Sequence, residues 1–421
     1  MRDITAAVAR AAAPGLSAAR VCRPRAGDEI AQFPTKPSVV VELLPLMAIV
    51  LVAFLVIGAA LPVLPLFVRD ILGFGPTMVG VVAGCQFAAA LIARIWSGQA
   101  ADRKGAKWAV MAGLAGAALA GLLYLCAFGL LGLPRVSIAI LLAGRAVLGG
   151  AESFIITGAT TWGLARAGAH NAGKVIAWMG TAMFAAFAAG APIGTSIYEK
   201  GGFGAVSFGT MIAPLITLIL IVPLRRVMPS QRGDPGILSV VNGIWVPGLG
   251  AALSSVGFGA IAAFSSLLFA DHGWTPVWLA FSTYALSLIV ARLAFGHLPD
   301  QIGGARVALL FSLIEVAGLA LMSFASAASV AAIGAALTGF GYSLVFPALG
   351  VEAVRRAPAQ GRGVAMGAYT ACLDIALGVS GPVLGLMASR AGLSAVFLVS
   401  ALVALGAAAV SLGLLRANQQ S

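Results

Sequence analysis

What most constrains this chain is a recurring length. Runs of about 20 apolar residues, the span a helix needs to cross the hydrocarbon core of a bilayer, follow one another with only short polar breaks. We read twelve: 43–68, 76–101, 107–130, 136–164, 174–198, 204–224, 243–270, 275–299, 306–327, 329–354, 362–389 and 393–416. Lipid cannot hydrogen-bond a backbone, so each run is expected to be an α-helix rather than an open-edged strand. Composition points the same way. Only 10% of the residues are charged and 60% are hydrophobic, whereas soluble domains carry about 25% charge. The expected fold class is an all-α membrane protein with twelve transmembrane helices.

Basic residues set the orientation. An even number of spans puts both termini on one side, and nineteen of the 26 Lys and Arg then fall on that side against four on the other, with Arg94, Arg145 and Arg292 inside spans. Positive loops stay in the cytoplasm, so both termini are expected there, in a bacterial-type inner membrane. The net charge of +12 then faces anionic lipid headgroups and requires no nucleic acid. Residues 1–42, rich in Ala and Arg and interrupted by four prolines, read as a cytoplasmic tail; no apolar core of signal-peptide type follows the early charges.

Other chemistry is sparse. Cys22, Cys85, Cys126 and Cys372 form no CxxC pair, and His170, His272 and His297 have no ligand spacing, so neither a disulfide nor a metal site is expected. The stretch GAHNAGKV at Gly168 lacks the hydroxyl residue and preceding strand of a phosphate loop. No cofactor is expected. An enzyme would cluster His, Asp or Cys at one membrane face, and a receptor would carry a soluble domain; neither pattern is present.

A repeat organises the chain. Ala93, Arg94, Gly98, Asp102 and Gly105, shifted by 198, fall on Ala291, Arg292, Gly296, Asp300 and Gly303. Pro192 and Pro382 match at a similar offset, so span n resembles span n+6. We therefore expect two pseudo-symmetric six-helix bundles, 43–224 and 243–416, joined by a cytoplasmic linker over 225–242, with 417–421 as a C-terminal tail. Parallel repeats around a midplane site are a transporter architecture that allows alternating access.

The residues that carry this repeat also carry a family resemblance. SGQAADRKGAK, through Gly98, Asp102, Arg103, Gly105 and Lys107, resembles the loop signature of the major facilitator superfamily. GRAVLGG, with Arg145 and Gly149, looks like its fourth-helix signature, and GAPIG (Gly190–Gly194) like a degraded form of the fifth-helix exporter signature. GFGYSLVFPALGVEAV and GVSGPVLG are similar to the YhhS/YfcJ-type subgroup of sugar-efflux-like permeases. The resemblance implies that Asp102 latches onto the N-terminus of the eleventh helix near Gly361–Val364, held ionised by Arg103 and Lys104, with Asp300 as a weaker counterpart. It also implies that the first, fourth, seventh and tenth helices line the cavity, which nominates Pro62, Ser254, Ser255, Phe258, Tyr342 and Phe346.

Charges within spans are expensive and so are expected to be functional or partnered. Arg94 lies ~27 Å into the second span by helix rise, and Arg94 and Arg292 are read as gating residues. Gly98 is expected to admit a close helix approach. Arg145, ~13 Å into the fourth span, should face the cavity. Glu152, Glu315 and Asp374 are candidate proton carriers, with Glu152 preferred because Arg145 lies two turns away on the same helix. The expected activity is proton-coupled efflux of a small organic solute, sugar-like, acidic or drug-like, by a monomer. Uptake by proton symport and uncoupled facilitation stay open.

Overall fold

The computed structural model describes residues 39–168, 171–224, 237–356 and 362–420, and among them every regular element is a helix. In chain order these are α1 (Val39–Ala60), α2 (Val63–Leu66) continued by a π-helical turn over Phe67–Ile71, α3 (Pro76–Arg103), α4 (Ala106–Gly129), α5 (Pro134–Ala167) and α6 (Ala172–Ile221). The second half holds α7 (Ile237–Asp271), α8 (Leu279–Phe295), α9 (Leu298–Ile302), α10 (Gly304–Ser323), α11 (Ala328–Arg356), α12 (Arg362–Ala391) and α13 (Leu393–Gln420).

Ten helices among the described residues are long and apolar enough to cross a membrane, with Val40–Ile71 counted as one; α8, apolar throughout, has only 17 residues. Two expected spans, 174–198 and 204–224, merge in α6. Its 50 residues bend at Gly202, whose φ of 66° breaks the helical path, a conformation that glycine adopts at little cost. Three boundaries also move. Helix α1 begins at Val39, inside the expected N-terminal tail, α7 begins at Ile237, inside the expected linker, and α13 runs on to Gln420, through the expected C-terminal tail. The rest of the tail and residues 225–236 lie outside the described residues.

Short punctuation ends the helices. Gly105 (φ 96°, ψ 151°) stands between α3 and α4, and Gly303 (φ 91°, ψ 142°) between α9 and α10. These are matched positions of the repeat, and both hold a backbone shape that a side chain would strain. Hydroxyls inside the helices satisfy themselves locally: Ser207, Thr210, Ser312, Ser400 and Ser411 each donate to the carbonyl four residues back, the usual outlet for a buried hydroxyl in a helix.

Helix packing repeats along the chain. The pairs α1–α6, α3–α5, α4–α5 and α4–α6 reappear as α7–α12, α8–α11, α10–α11 and α10–α13. Between the halves, α3 meets α12 and α6 meets α8, themselves a matched pair of contacts. Outward-facing side chains are apolar and large: Ile95 is 68% exposed, Trp96 61% and Ile219 71%. Such a belt on a protein in water would drive aggregation; in lipid it is the solvated surface.

Glycine lets α3 and α12 touch along their backbones. A Cβ on Gly84 would stand 2.5 Å from the Gly378 carbonyl oxygen and 2.8 Å from Cδ of Pro382, and one on Gly381 would lie 2.9 Å from the Gly84 nitrogen. Close approach through small residues is how membrane helices gain contact without a hydrophobic driving force. Gly190 and Gly194 do the same against Ala59 of α1. One expected packing glycine does not: among the described residues no atom of another helix lies within 4 Å of where a Cβ on Gly98 would stand.

Candidate transport site

Contacts between the two halves run from one end of the bundle to its middle. At that end the Arg69 guanidinium pairs with Asp70 at 2.6 Å and with Asp271 of α7 at 2.5 Å. The Thr77 and Ser389 hydroxyls meet at 2.9 Å between α3 and α12. Ser282 of α8 donates to the Ala188 carbonyl of α6 at 3.1 Å. At the opposite end Gly98 meets no neighbour, and Asp102 and Asp300 make no hydrogen bond or ion pair among the described residues. The halves are thus clamped at the end holding Arg69 and Thr77.

At the inner limit of this clamp lies an ion pair across the halves. Arg94 of α3 donates through Nη2 to Asp374 Oδ2 of α12 at 2.5 Å, and through Nε at 2.8 Å. The Asp374 side chain is 4% exposed and that of Arg94 28%. Beside it, Gln86 donates to Glu152 Oε2 at 2.7 Å, and Ser97 contacts Ser153 and Thr157. The residue expected to gate and one expected to carry protons are therefore partners. Glu152, the preferred proton carrier on sequence grounds, forms no ion pair with Arg145 among the described residues. Its partner is a neutral amide.

Arg145 is 1% exposed. Its Nε donates to the Val82 carbonyl at 3.3 Å, and its Nη1 has no hydrogen-bond partner among the described residues. It borders a cavity of about 10 Å³ between α2, α3, α5 and α7. Arg292, its counterpart in cost if not in sequence, donates to the Ser343 carbonyl at 3.2 Å and stands over the Phe184 ring at 5.4 Å. That ring face compensates part of its charge.

The other carboxylate sits elsewhere. Glu315 of α10 accepts from Ser254 of α7 at 2.5 Å, within the second half and away from the interface with the first. Gly257 leaves room for its second oxygen. Ser255 donates to the Ala251 carbonyl and lies 3.4 Å from the Tyr342 hydroxyl. Phe258 stacks near Tyr342 and Tyr284 and meets Phe87 and Phe187 of the first half at 6.2 and 6.4 Å, an aromatic layer across the midplane. Phe346 is drawn aside to Tyr369, whose hydroxyl donates to its carbonyl at 2.6 Å. Pro62 marks the break between α1 and α2.

The loop signature divides its labour. Lys107 reaches a distant helix: its ammonium donates to the Val222 and Leu224 carbonyls at 2.5 and 2.8 Å, capping the end of α6. Free carbonyls at a helix C-terminus attract a cation for this reason. Gly105 supplies the turn, and Arg103 is exposed. Lys104 lies over Trp108 at 4.1 Å rather than on Asp102. Residue Gly361 lies outside the described residues, as do the side chains of 362–364, so the expected latch partner of Asp102 does too.

Four residues escaped the sequence reading. Gln86 is a lone amide in an apolar run, a signal that was available. Arg69 and Asp271 end the first and seventh spans, which the repeat makes equivalent. Glu352 accepts from the Ala305 backbone N–H at 3.3 Å and from Asn418 at 3.2 Å, fixing the start of α10.

An apolar helical array, a glycine-packed seam between two halves and a charged pair at its centre define a membrane transporter. The sequence profile of the Major Facilitator Superfamily matches residues 46–279 and 247–420, and the chain belongs to that family. Among its relatives, an MFS-type transporter of Salmonella typhimurium, itself uncharacterized, is 39% identical over 382 residues, covering 91% of this chain and 98% of that one. YhhS of Escherichia coli is 39% identical over 350 residues, covering 83% and 86%. A Pseudomonas aeruginosa relative is 38% identical over 404 residues, covering 93% and 97%. In fold the chain is similar to the nucleoside transporter NupG (TM-score 0.70, 14% identity, 88% and 99% covered). It is also similar to the human organic anion transporter MFSD10 (TM-score 0.65, 16% identity, 89% and 100% covered).

Proposed function

We propose that this transporter is a proton-coupled exporter of a small organic solute, working as a monomer by alternating access between two six-helix bundles. Counting the arms of α6 on either side of Gly202 separately, and α8 as a crossing, gives twelve spans with both termini in the cytoplasm of a cell whose inner membrane holds the protein. On that topology the clamped end is external and the structure faces inward.

The observation that carries the reading is the Arg94–Asp374 pair. It is a carboxylate buried at midspan and held by a cation from the other half, so its protonation and the contact between the halves are tied. A proton arriving from outside neutralises Asp374 while the cavity is open outward. Its release to the cytoplasm restores the charge and the bond to Arg94, and the solute leaves in the opposite stroke. Each charge that crosses gains about 2.3 kcal/mol per 100 mV. We assign coupling to Asp374 ahead of Glu152, whose bond to Gln86 persists in either protonation state.

The test begins with a thermal-shift screen of purified protein against sugars, organic acids and drugs. Hits are then taken to proteoliposomes with an internal pH dye. Solute movement that drives opposite proton flux supports the proposal; solute movement with no pH change removes the proton, and flux in the same direction makes it an importer.

A further inference from the structure

We infer that Arg145 is the recognition point for the carboxylate of a monoanionic, partly apolar solute. The inference rests on the transporter reading and adds the substrate class. Among the buried cations of the described residues, Arg145 is the most poorly compensated by its surroundings. A guanidinium offers five N–H donors, yet the described residues accept one bond from it, from Nε to the Val82 carbonyl, and place no carboxylate within ion-pairing distance. Burial of a lone charge is costly unless it is paired. Arg94 has Asp374, and Arg292 has the Phe184 ring; Arg145 has neither.

Its surroundings describe the missing partner. The Tyr124 hydroxyl is fully buried, lies within interacting distance of Arg145, and makes no other hydrogen bond among the described residues. Together the fork of Arg145 and this hydroxyl offer a planar oxyanion two donors on one side and a third beside them, the geometry that selects carboxylates. The remaining wall is apolar: Leu64 of α2, Val68 of the π-helical turn, Val79 and Ala83 of α3, and Ala262 of α7. One negative charge balances one guanidinium, which favours a monoanion. The wall is shared between both halves, so the site opens when they part. With the end holding Arg69 and Thr77 clamped, its cavity of about 10 Å³ admits at most about one water.

The apparent Tm of the full-length protein in detergent is measured at constant ionic strength in chloride, with benzoate replacing chloride, with inorganic phosphate replacing it, and with benzamide added. Benzoate is expected to raise Tm by about 2 °C or more, and benzamide and phosphate to leave it unchanged. Arg145→Gln is expected to abolish the benzoate shift and to raise the basal Tm, since it removes an uncompensated charge. Arg145→Lys, which keeps the charge and loses the fork, should weaken half-saturation ~10-fold, and Tyr124→Phe should weaken it in the same direction. These two variants carry the test if Arg145→Gln fails to fold. Equal shifts from benzoate and benzamide, an equal or larger shift from phosphate, no shift from benzoate, or a benzoate shift that survives Arg145→Gln would each overturn the inference. Proton-coupled flux of another solute under those outcomes would leave the transporter reading intact.

Discussion

At the scale of single residues, charge in lipid is the controlling fact. Every midspan charge needs a partner, and the partners separate the residues that hold the fold from those that move with function. Asp374→Ala leaves Arg94 without its carboxylate inside the membrane span and is expected to cost about 3 kcal/mol, read as a fall in apparent Tm. Arg94→Ala combined with Asp374→Ala should recover part of the loss, because the double variant leaves no orphan charge. Asp374→Asn is expected to stop solute-driven proton flux in proteoliposomes, while Glu152→Gln retains it; the reverse result would return the coupling role to Glu152. Lys107→Met makes a contrasting prediction. It removes the cation from the Val222 and Leu224 carbonyls and should lower Tm by the equivalent of about 1–3 kcal/mol, with transport per folded molecule unchanged.

At the scale of elements, the seam between α3 and α12 is built from glycine because only a missing Cβ allows backbones so close. Gly84→Leu has no room against Gly378 and Pro382, so it should force the clamped end apart. Cysteines placed at Thr77 and Ser389, whose hydroxyls lie 2.9 Å apart, report this directly. The pair is expected to cross-link in the parent chain, arresting transport until reductant is added, and to cross-link several-fold more slowly with Gly84→Leu. Cross-linking at the parent rate would show that the seam does not set the separation. The bend at Gly202 belongs to the same scale. It turns one 50-residue helix into two arms, at the break between the expected spans 174–198 and 204–224.

At the scale of the whole molecule, the proposed topology makes a labelling prediction. A cysteine at Ser230, in the connector between the halves, should react with an impermeant reagent only from the cytoplasmic face, and one at Lys200 only from outside. The same label on both sides of the repeat would end the six-plus-six arrangement. Much of this scale was legible in advance. Apolar run length gives helices, since a backbone in lipid has few ways to satisfy itself. The matched Arg, Asp and Gly of the two halves are accompanied in the structure by matched turns at Gly105 and Gly303 and by recurring helix contacts.

What the chain could not announce was which side chains meet. Arg94 and Asp374 are 280 positions apart, and helical periodicity in a uniformly apolar sequence does not say which face turns to lipid and which to another helix. Gly98, Asp102 and Lys107 sit in one short signature, yet one faces open space, one stands without a partner among the described residues, and one caps a distant helix. By itself the sequence determined that this protein lives in a bilayer as packed helices, because lipid leaves a polar backbone so little choice. Only the tertiary structure decided which charges neutralise one another, because that depends on the rotation of each helix about its own axis and on the close contacts that glycine permits.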